Sequence, residues 1–383
     1  MNYLQLQQQY KEESLFGRYI ALKHIEPLLS QYSVEVIGFS VLNKPIYQLE
    51  CGTGAIKILM WSQMHGNEST TTKALFDFLN FLHSETPESQ QLLRIFRFCI
   101  LPMLNPDGAA LYTRENANKV DLNRDAQNLS QPESQILRAV FNRFQPHYCY
   151  NLHDQRTIFG LQHSEHDVKP ATVSFLAPAY NEAREINEVR LKAISVIVAM
   201  NKALQALIPG QVGRFDDSFN LNCVGDTFQH VNVPTILFEA GHFPKDYERE
   251  ETRKYIFTAL VAGIQYLREN DVVNNKTEDY LNIPQNKVVF YDFVYKNVKI
   301  NYDDNEKIIN FAAQYKEVLQ QDKVTFEAKI AQVGGLENFF GHITVDAERQ
   351  VYTDGEYDFP NIERNADFCL GKNIKIVNGL VKT

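Results

Sequence analysis

The sequence has no run of about 18 apolar residues, so it predicts no membrane-spanning helix. Its first residues, Met1-Asn2-Tyr3-Leu4-Gln5-Leu6, lack a basic stretch leading into an apolar one and do not read as a secretory signal. Cysteine is scarce. Cys51, Cys99, Cys149, Cys223 and Cys369 are scattered, odd in number and without a CxxC pair. They read as reduced thiols, and the chain as cytoplasmic. Basic residues are outnumbered: 38 Lys and Arg against 47 Asp and Glu give a net charge of −9. That balance argues against a nucleic-acid partner, although a local basic pocket is compatible with it. HExxH and GxSxG motifs are missing, which removes the thermolysin-like and serine-hydrolase readings. Gly52-Thr53-Gly54 has neither the third glycine nor the lysine of a phosphate cradle and reads as a turn. No internal repeat or low-complexity segment occurs.

What is present is an ordinary globular composition, 44% hydrophobic and 22% charged over 383 residues, enough for a full core and for one to three units. Residues 3–29 read as an amphipathic helix. Short strands are expected at 34–40 and 45–49. The continuous apolar run 55–64 suits a strand buried on both faces and ends at Met64-His65-Gly66-Asn67-Glu68. A helix follows over 69–83, then a strand at 96–101 closed by the turn Asn105-Pro106-Asp107-Gly108. Ser130-Gln131-Pro132-Glu133 reads as a capping box opening a helix to 144. Strands at 147–152, 173–176 and 235–238 alternate with helices at 182–207 and 248–267. This alternation predicts an α/β sheet covered on both faces. Composition shifts near residue 270. The polar stretch 269–278 reads as a linker, and β-rich runs at 287–295, 298–302, 324–330 and 374–377 mark a separate small β-rich domain. One helix, near 305–320, is expected to interrupt it. The divisions are therefore 1–270 and 280–383.

Four features fall at strand ends, where open α/β sheets place their sites. The first is His65-x-x-Glu68, whose imidazole and carboxylate suit zinc; read alone, it is equally a turn histidine with a helix-start glutamate. The second is His153 in Asn151-Leu152-His153-Asp154, a possible third ligand or a structural hydrogen-bonder. The third is Asp121-Leu122-Asn123-Arg124 preceded by Thr113-Arg114, whose guanidinium groups suit a carboxylate or oxyanion, or surface ion pairs. The fourth is Glu239 in Phe238-Glu239-Ala240-Gly241-His242, a carboxylate at the end of a buried strand and so a candidate general base, or a partner for a nearby cation. His163-Ser164-Glu165-His166 reads as an exposed loop, and His242 as a packing residue.

In this order the elements resemble the M14 zinc carboxypeptidase family, over about 175 residues from His65 to Glu239. The resemblance implies a mixed β-sheet with helices on both faces over residues 1–270, and leaves the β-rich tail outside. It implies Zn2+ held by His65, Glu68 and His153, with Glu239 as general base and Arg114 polarising the scissile carbonyl. Asn123 and Arg124 would grip the substrate's terminal carboxylate. Asp121 would orient His65 through its second ring nitrogen. One departure stands out. Many members carry a mobile tyrosine before the catalytic glutamate, whereas residues 214–234 offer only Phe215, Phe219 and Phe228. Tyr180 and Tyr247 are the candidates to stand in.

The implied reaction is hydrolysis of a C-terminal amide bond, so the expected partner is a peptide or small amide with a free carboxylate. Thr113 to Ala117 is similar to bacterial members that trim cell-wall peptides, which keeps such peptides among the substrates. Asp226 and Asp217 are the candidate acids for the specificity pocket. The alternatives are a zinc deacylase or amidase of small N-acyl amino acids, and a non-catalytic peptide-binding module. Oligomeric state has no sequence signature here.

Overall fold

The computed structural model describes residues 2–165, 167–270, 275–302 and 305–382. His166 and part of the expected linker lie outside them. The chain divides into two compact units, one of residues 1–155 with 171–286, the other of residues 156–170 with 287–383. The second unit thus takes a short insert from within residues 1–270.

The first unit is built on eight strands: β1 (Val34–Phe39), β2 (Pro45–Cys51), β3 (Ile56–Trp61), β4 (Phe96–Leu101), β5 (Tyr148–Asp154), then β8 (Val173–Leu176), β9 (Val212–Arg214) and β10 (Thr235–Ala240). Between β5 and β8 lie β6 (Phe159–Gln162) and β7 (Val168–Pro170), which belong to the other unit. The sheet order is β1-β2-β4-β3-β5-β10-β8-β9. Its centre is parallel: β3 with β4 and β5, and β5 with β10. Antiparallel pairs flank that centre, so the sheet is mixed.

The helices are α1 (Tyr3–Tyr10), α2 (Leu22–Leu29), α3 (Thr70–Leu82), α4 (Pro87–Ile95), α5 (Pro106–Leu111), α6 (Pro132–Phe144), α7 (Glu188–Gln205), α8 (Val224–His230), α9 (Glu250–Glu269) and α10 (Thr277–Leu281). Strand residues alternate between two buried faces. Ile58, Met60, Tyr150 and Phe238 enter one core with α3, α7 and α9. Leu59, Trp61 and Cys149 enter a second with α6 and α8 through Leu137, Val140, Val224 and Phe228. Both faces of the sheet are covered, as expected.

Three readings are corrected. The expected helix over 3–29 is two short helices, because Gly17 takes a left-handed φ of +77° and residues 11–21 run as a non-repetitive, largely buried segment. The expected capping box does not form. Gln131 is the N-cap without a side-chain bond, while the Ser130 hydroxyl donates to Asp125 Oδ1 and Glu133 accepts from Val41 N and Asn116 Nδ2.

The third correction lies in the second unit. Its strands are β11 (Lys287–Val288), β12 (Phe290–Tyr302), β13 (Asn305–Gln320), β14 (Lys323–Val333), β15 (Phe340–Asp346), β16 (Tyr352–Thr353), β17 (Phe368–Leu370), β18 (Ile374–Val377) and β19 (Leu380–Lys382). They form sheets β14-β13-β12-β15, β16-β17-β18-β19 and β11-β6-β7. Residues 305–320 are therefore a strand rather than a helix. Ile309, Phe311, Ala313 and Tyr315 alternate toward the core, and tertiary pairing overrides the helix-favouring Ala, Glu, Lys and Gln of this stretch.

Candidate metal centre

Side-chain parity brings two of the expected residues together. His153 lies on β5 four residues beyond Cys149, so it points to the same face of the sheet. Glu239 on β10 is directly opposite His153 in the parallel register and shares that face. Both stand near the carboxyl ends of their strands.

The loop after β3 brings the other two. Pairing of β3 with β5 ends at Trp61 and Asn151, and the chain then leaves the sheet. The segment Asn105–Gly108 seats it. Asn105 N donates to Gln63 O at 3.0 Å, and Asn105 Nδ2 to Met64 O at 3.2 Å. Asn105 Oδ1 in turn caps α5 by accepting from Gly108 N at 2.8 Å. Gly66 lies so close to α5 that a Cβ there would fall 1.9 Å from the carbonyl carbon of Gly108. The spacing of His65 and Glu68 is thus held by backbone contacts with a segment some 40 residues away.

Four atoms converge. His65 Nδ1 is 2.7 Å from Glu68 Oε1, His153 Nδ1 is 2.8 Å from Glu68 Oε2, and the two Nδ1 atoms are 3.1 Å apart. All three residues are buried, and one ligand atom from each lies within 4.8 Å of the others. The opposite nitrogen of His65, Nε2, meets Asp121 Oδ1 at 3.0 Å, which leaves Nδ1 as the lone-pair nitrogen when Nε2 carries the proton. Donors on a tetrahedral zinc at about 2.0–2.1 Å sit roughly 3.3 Å from one another, so two imidazole nitrogens and a carboxylate at these separations fit one cation.

The electrostatics agree. Burial pushes the Glu68 carboxyl up, but His65 and His153 outweigh it and hold it well below the usual carboxylate range. Burial lowers His65, and Glu68 and Asp121 more than reverse this. His153 is lowered, chiefly by burial. Glu239 is raised well above the ordinary value by burial, with Glu68 and Asp154 adding to the rise, and its buried Oε2 has no hydrogen-bond partner among the described residues.

Residues 21–157 match the sequence profile described as zinc carboxypeptidase. Over this segment the chain is similar to the zinc carboxypeptidases. A probable carboxypeptidase 2 from Arthroderma benhamiae is 30% identical over 100 residues, covering 26% of this chain and 19% of that protein. The cytosolic carboxypeptidase-like protein 5 of Danio rerio is 39% identical over 80 residues, covering 20% of this chain and 9% of the relative. The chain thus spans less than a fifth of the length of these curated relatives. Among solved structures, a metallo-carboxypeptidase from Burkholderia cenocepacia matches at a TM-score of 0.51 and 18% identity, over 64% of this chain and 69% of that one. Carboxypeptidase A from Helicoverpa armigera matches at 0.52 and 16%, over 70% and 80%. These structures share the zinc carboxypeptidase fold.

Of the remaining residues expected from the zinc carboxypeptidase pattern, Arg114 and Asp121 contact the convergent group. Arg114 reaches it: Nη1 is 3.3 Å from Glu68 Oε1, while Nε and Nη2 engage Asp121 Oδ2 at 3.1 and 3.0 Å. Asn123 is buried. Its Oδ1 accepts from Val224 N at the start of α8, and its backbone N donates to Asp121. Arg124 is exposed, its Nη1 shared between Asn123 O and Cys223 Sγ. Of the two candidate pocket acids, Asp217 is engaged by Arg190 and Arg184. Asp226 is buried, accepts from Asn220 N, and is raised by burial to about 6. The Tyr180 hydroxyl donates to Glu185, and the Tyr247 ring lies 4.8 Å from that of His242. His163 and Glu165 are exposed. Asp154, which follows His153 and reads from the sequence as a candidate to set the ligand geometry or a solvated loop acid, forms a buried ion pair with Arg18, 3.2 Å apart, a partner that sequence reading did not supply. No spacing rule links an arginine in a non-repetitive segment to an aspartate 136 positions on.

Proposed function

We propose that this chain is a zinc-dependent metallocarboxypeptidase that removes the C-terminal residue of a peptide. The observation carrying this is the buried meeting of His65 Nδ1, His153 Nδ1 and the Glu68 carboxylate, with Glu239 alongside on the same sheet face. His65, Glu68 and His153 would hold the zinc, which when bound would supply a Lewis acid able to lower the pKa of a water and polarise a carbonyl. Glu239 takes the proton of the attacking water and hands it to the leaving amine. Burial and the neighbouring acids raise its proton affinity, and a bound cation would offset them and favour the ionised carboxylate that a general base requires. Arg114 lies beside Glu68 and offers its guanidinium to the developing oxyanion. Exposed Arg124, with Asn123 behind it, grips the free carboxylate of the substrate. Asp121 fixes the ring of His65. The substrate is a peptide with a free C-terminus, cell-wall-derived peptides included. All five cysteines are free thiols, in keeping with a reducing, cytoplasmic setting.

The test compares zinc-loaded protein and Glu239→Gln on one peptide, with its C-terminus free or amidated. The free peptide should lose its last residue and the amide should resist. Glu239→Gln should cut kcat by about a thousandfold, within the usual range for a general base, while still binding one zinc. Equal turnover of both peptides, or an active Glu239→Gln, contradicts the reading. Turnover of N-acyl amino acids in place of peptides moves it to an amidase.

A further inference from the structure

The metal-binding groups come from two chain segments, the loop 62–69 and the end of β5, and the backbone pairing between β3 and β5 stops before either segment reaches its ligands. Something else must fix their separation. Asp154, the residue after His153, spans the gap. Its backbone N donates to Glu68 Oε2 at 3.1 Å. Its carboxylate accepts from the backbone N–H groups of Thr70 at 3.0 Å and Thr71 at 3.4 Å, the first turn of α3, which begins two residues after Glu68.

Helix α3 lacks a cap of its own. Ser69, at its N-cap position, makes no side-chain bond to the helix, and its hydroxyl instead donates to Arg18 O at 2.5 Å. A carboxylate is the preferred group at a helix N-terminus, both as an acceptor for unpaired N–H groups and as a charge against the helix dipole. Here it is delivered from the opposite ligand segment, so the cap also ties Glu68 to His153.

Arg18 completes the tie. Its Nη1 lies 3.2 Å from both Asp154 Oδ2 and Thr70 Oγ1, and its Nε donates to Tyr112 OH. The segment around it straps the loop. Gln63 Nε2 donates to both Ile20 O and Gly66 O at 2.9 Å, linking that segment to the turn that carries His65. Arg18 and Asp154 are both buried, so neither charge has ready access to water.

We infer that Arg18 and Asp154 form a clamp that sets the distance between the two ligand segments, as positioning residues for metal binding. This rests on the metallopeptidase reading, because it assigns the pair a role in holding the ion that reading requires.

The test measures zinc affinity by competition with a chelating indicator, and the visible spectrum of the cobalt-substituted protein, for the unaltered chain, Asp154→Ala, Asp154→Asn and Arg18→Gln. Circular dichroism checks that each is folded. Asp154→Ala should weaken zinc binding by about 10- to 100-fold, the usual range for groups that hold metal ligands in place, and should shift the cobalt bands. Asp154→Asn keeps an oxygen for Thr70 N and should recover part of that loss. Arg18→Gln should weaken zinc binding in the same direction. If Asp154→Ala does not fold, the other two variants decide. Folded variants that bind zinc within twofold of the unaltered chain, with unchanged cobalt spectra, overturn the clamp alone. An unaltered chain that binds no zinc overturns the metallopeptidase reading and the clamp together.

Discussion

Asp217 and Asp226 look alike as letters in the sequence, and environment separates them. Asp217 is neutralised by Arg190 and Arg184, whereas Asp226 sits buried in the first turn of α8 with a backbone N–H as its hydrogen-bond donor. Burial raises its pKa to about 6, against the backbone N–H bonds and, after them, Arg124 and Arg190, which pull the other way. The sign of the consequence follows. A folded-state pKa above the unfolded value means that the folded chain binds the extra proton, so the contribution to stability is full below about pH 4 and is lost as pH rises through about 6. Asp226→Asn keeps an oxygen for Asn220 N and does not titrate. Between pH 4 and pH 7 the unaltered chain should therefore lose about 2 kcal/mol of stability relative to the variant, an order-of-magnitude figure from a shift of about two pH units. Urea unfolding at several pH values measures the difference, and parallel stability curves for the two proteins rule the assignment out.

At the scale of elements, legibility followed periodicity and failed where contacts decide. The apolar runs that became β3, β4, β5 and β10 were readable because a strand buried on both faces has little choice of composition. His65, Glu68, His153 and Glu239 were readable because each ends such a run. Residues 305–320 were not, since their Ala, Glu, Lys and Gln favour a helix locally and become a strand only between two partners. Helices α4 and α8 went unseen because both are short and carry little apolar pattern of their own. The role of Asn105–Gly108 is legible only in three dimensions: it reads as a turn, and it is the seat of the ligand loop. That seat makes a prediction. Gly66→Ala would drive a methyl into the backbone of α5, where neither side can rotate away. The loop must shift, at a cost of about 2 kcal/mol in line with other overpacked sites. His65 and Glu68 should move with it, so zinc affinity should fall together with stability. Urea unfolding of the metal-free protein and a zinc titration report the two losses. A variant that loses neither would mean that the close approach to Gly108 does not set the ligand loop.

At the scale of the whole molecule, the chain carries two sets of cores. The first unit packs its sheet against helices on both faces, and all three metal-binding candidates lie in it. The second has its own cluster, with Phe293, Tyr295, Phe311, Tyr352 and Phe368 among its members. An apolar core is the natural unit of cooperative unfolding, so two separate cores call for two transitions. A ligand that binds only the folded form of one unit stabilises that unit by mass action, by about 2.7 kcal/mol when free ligand is a hundredfold above its dissociation constant. Scanning calorimetry of the metal-free chain should therefore resolve two transitions, and added zinc should raise one while leaving the other in place. Phe311→Ala marks the second: deleting a buried phenylalanine ring typically costs 3–5 kcal/mol, so it should lower the zinc-insensitive transition and spare the other. If zinc moved both transitions equally, or Phe311→Ala lowered the zinc-sensitive one, the two units would be unfolding as one cooperative body, and the metal centre would draw on the β-rich unit for its stability.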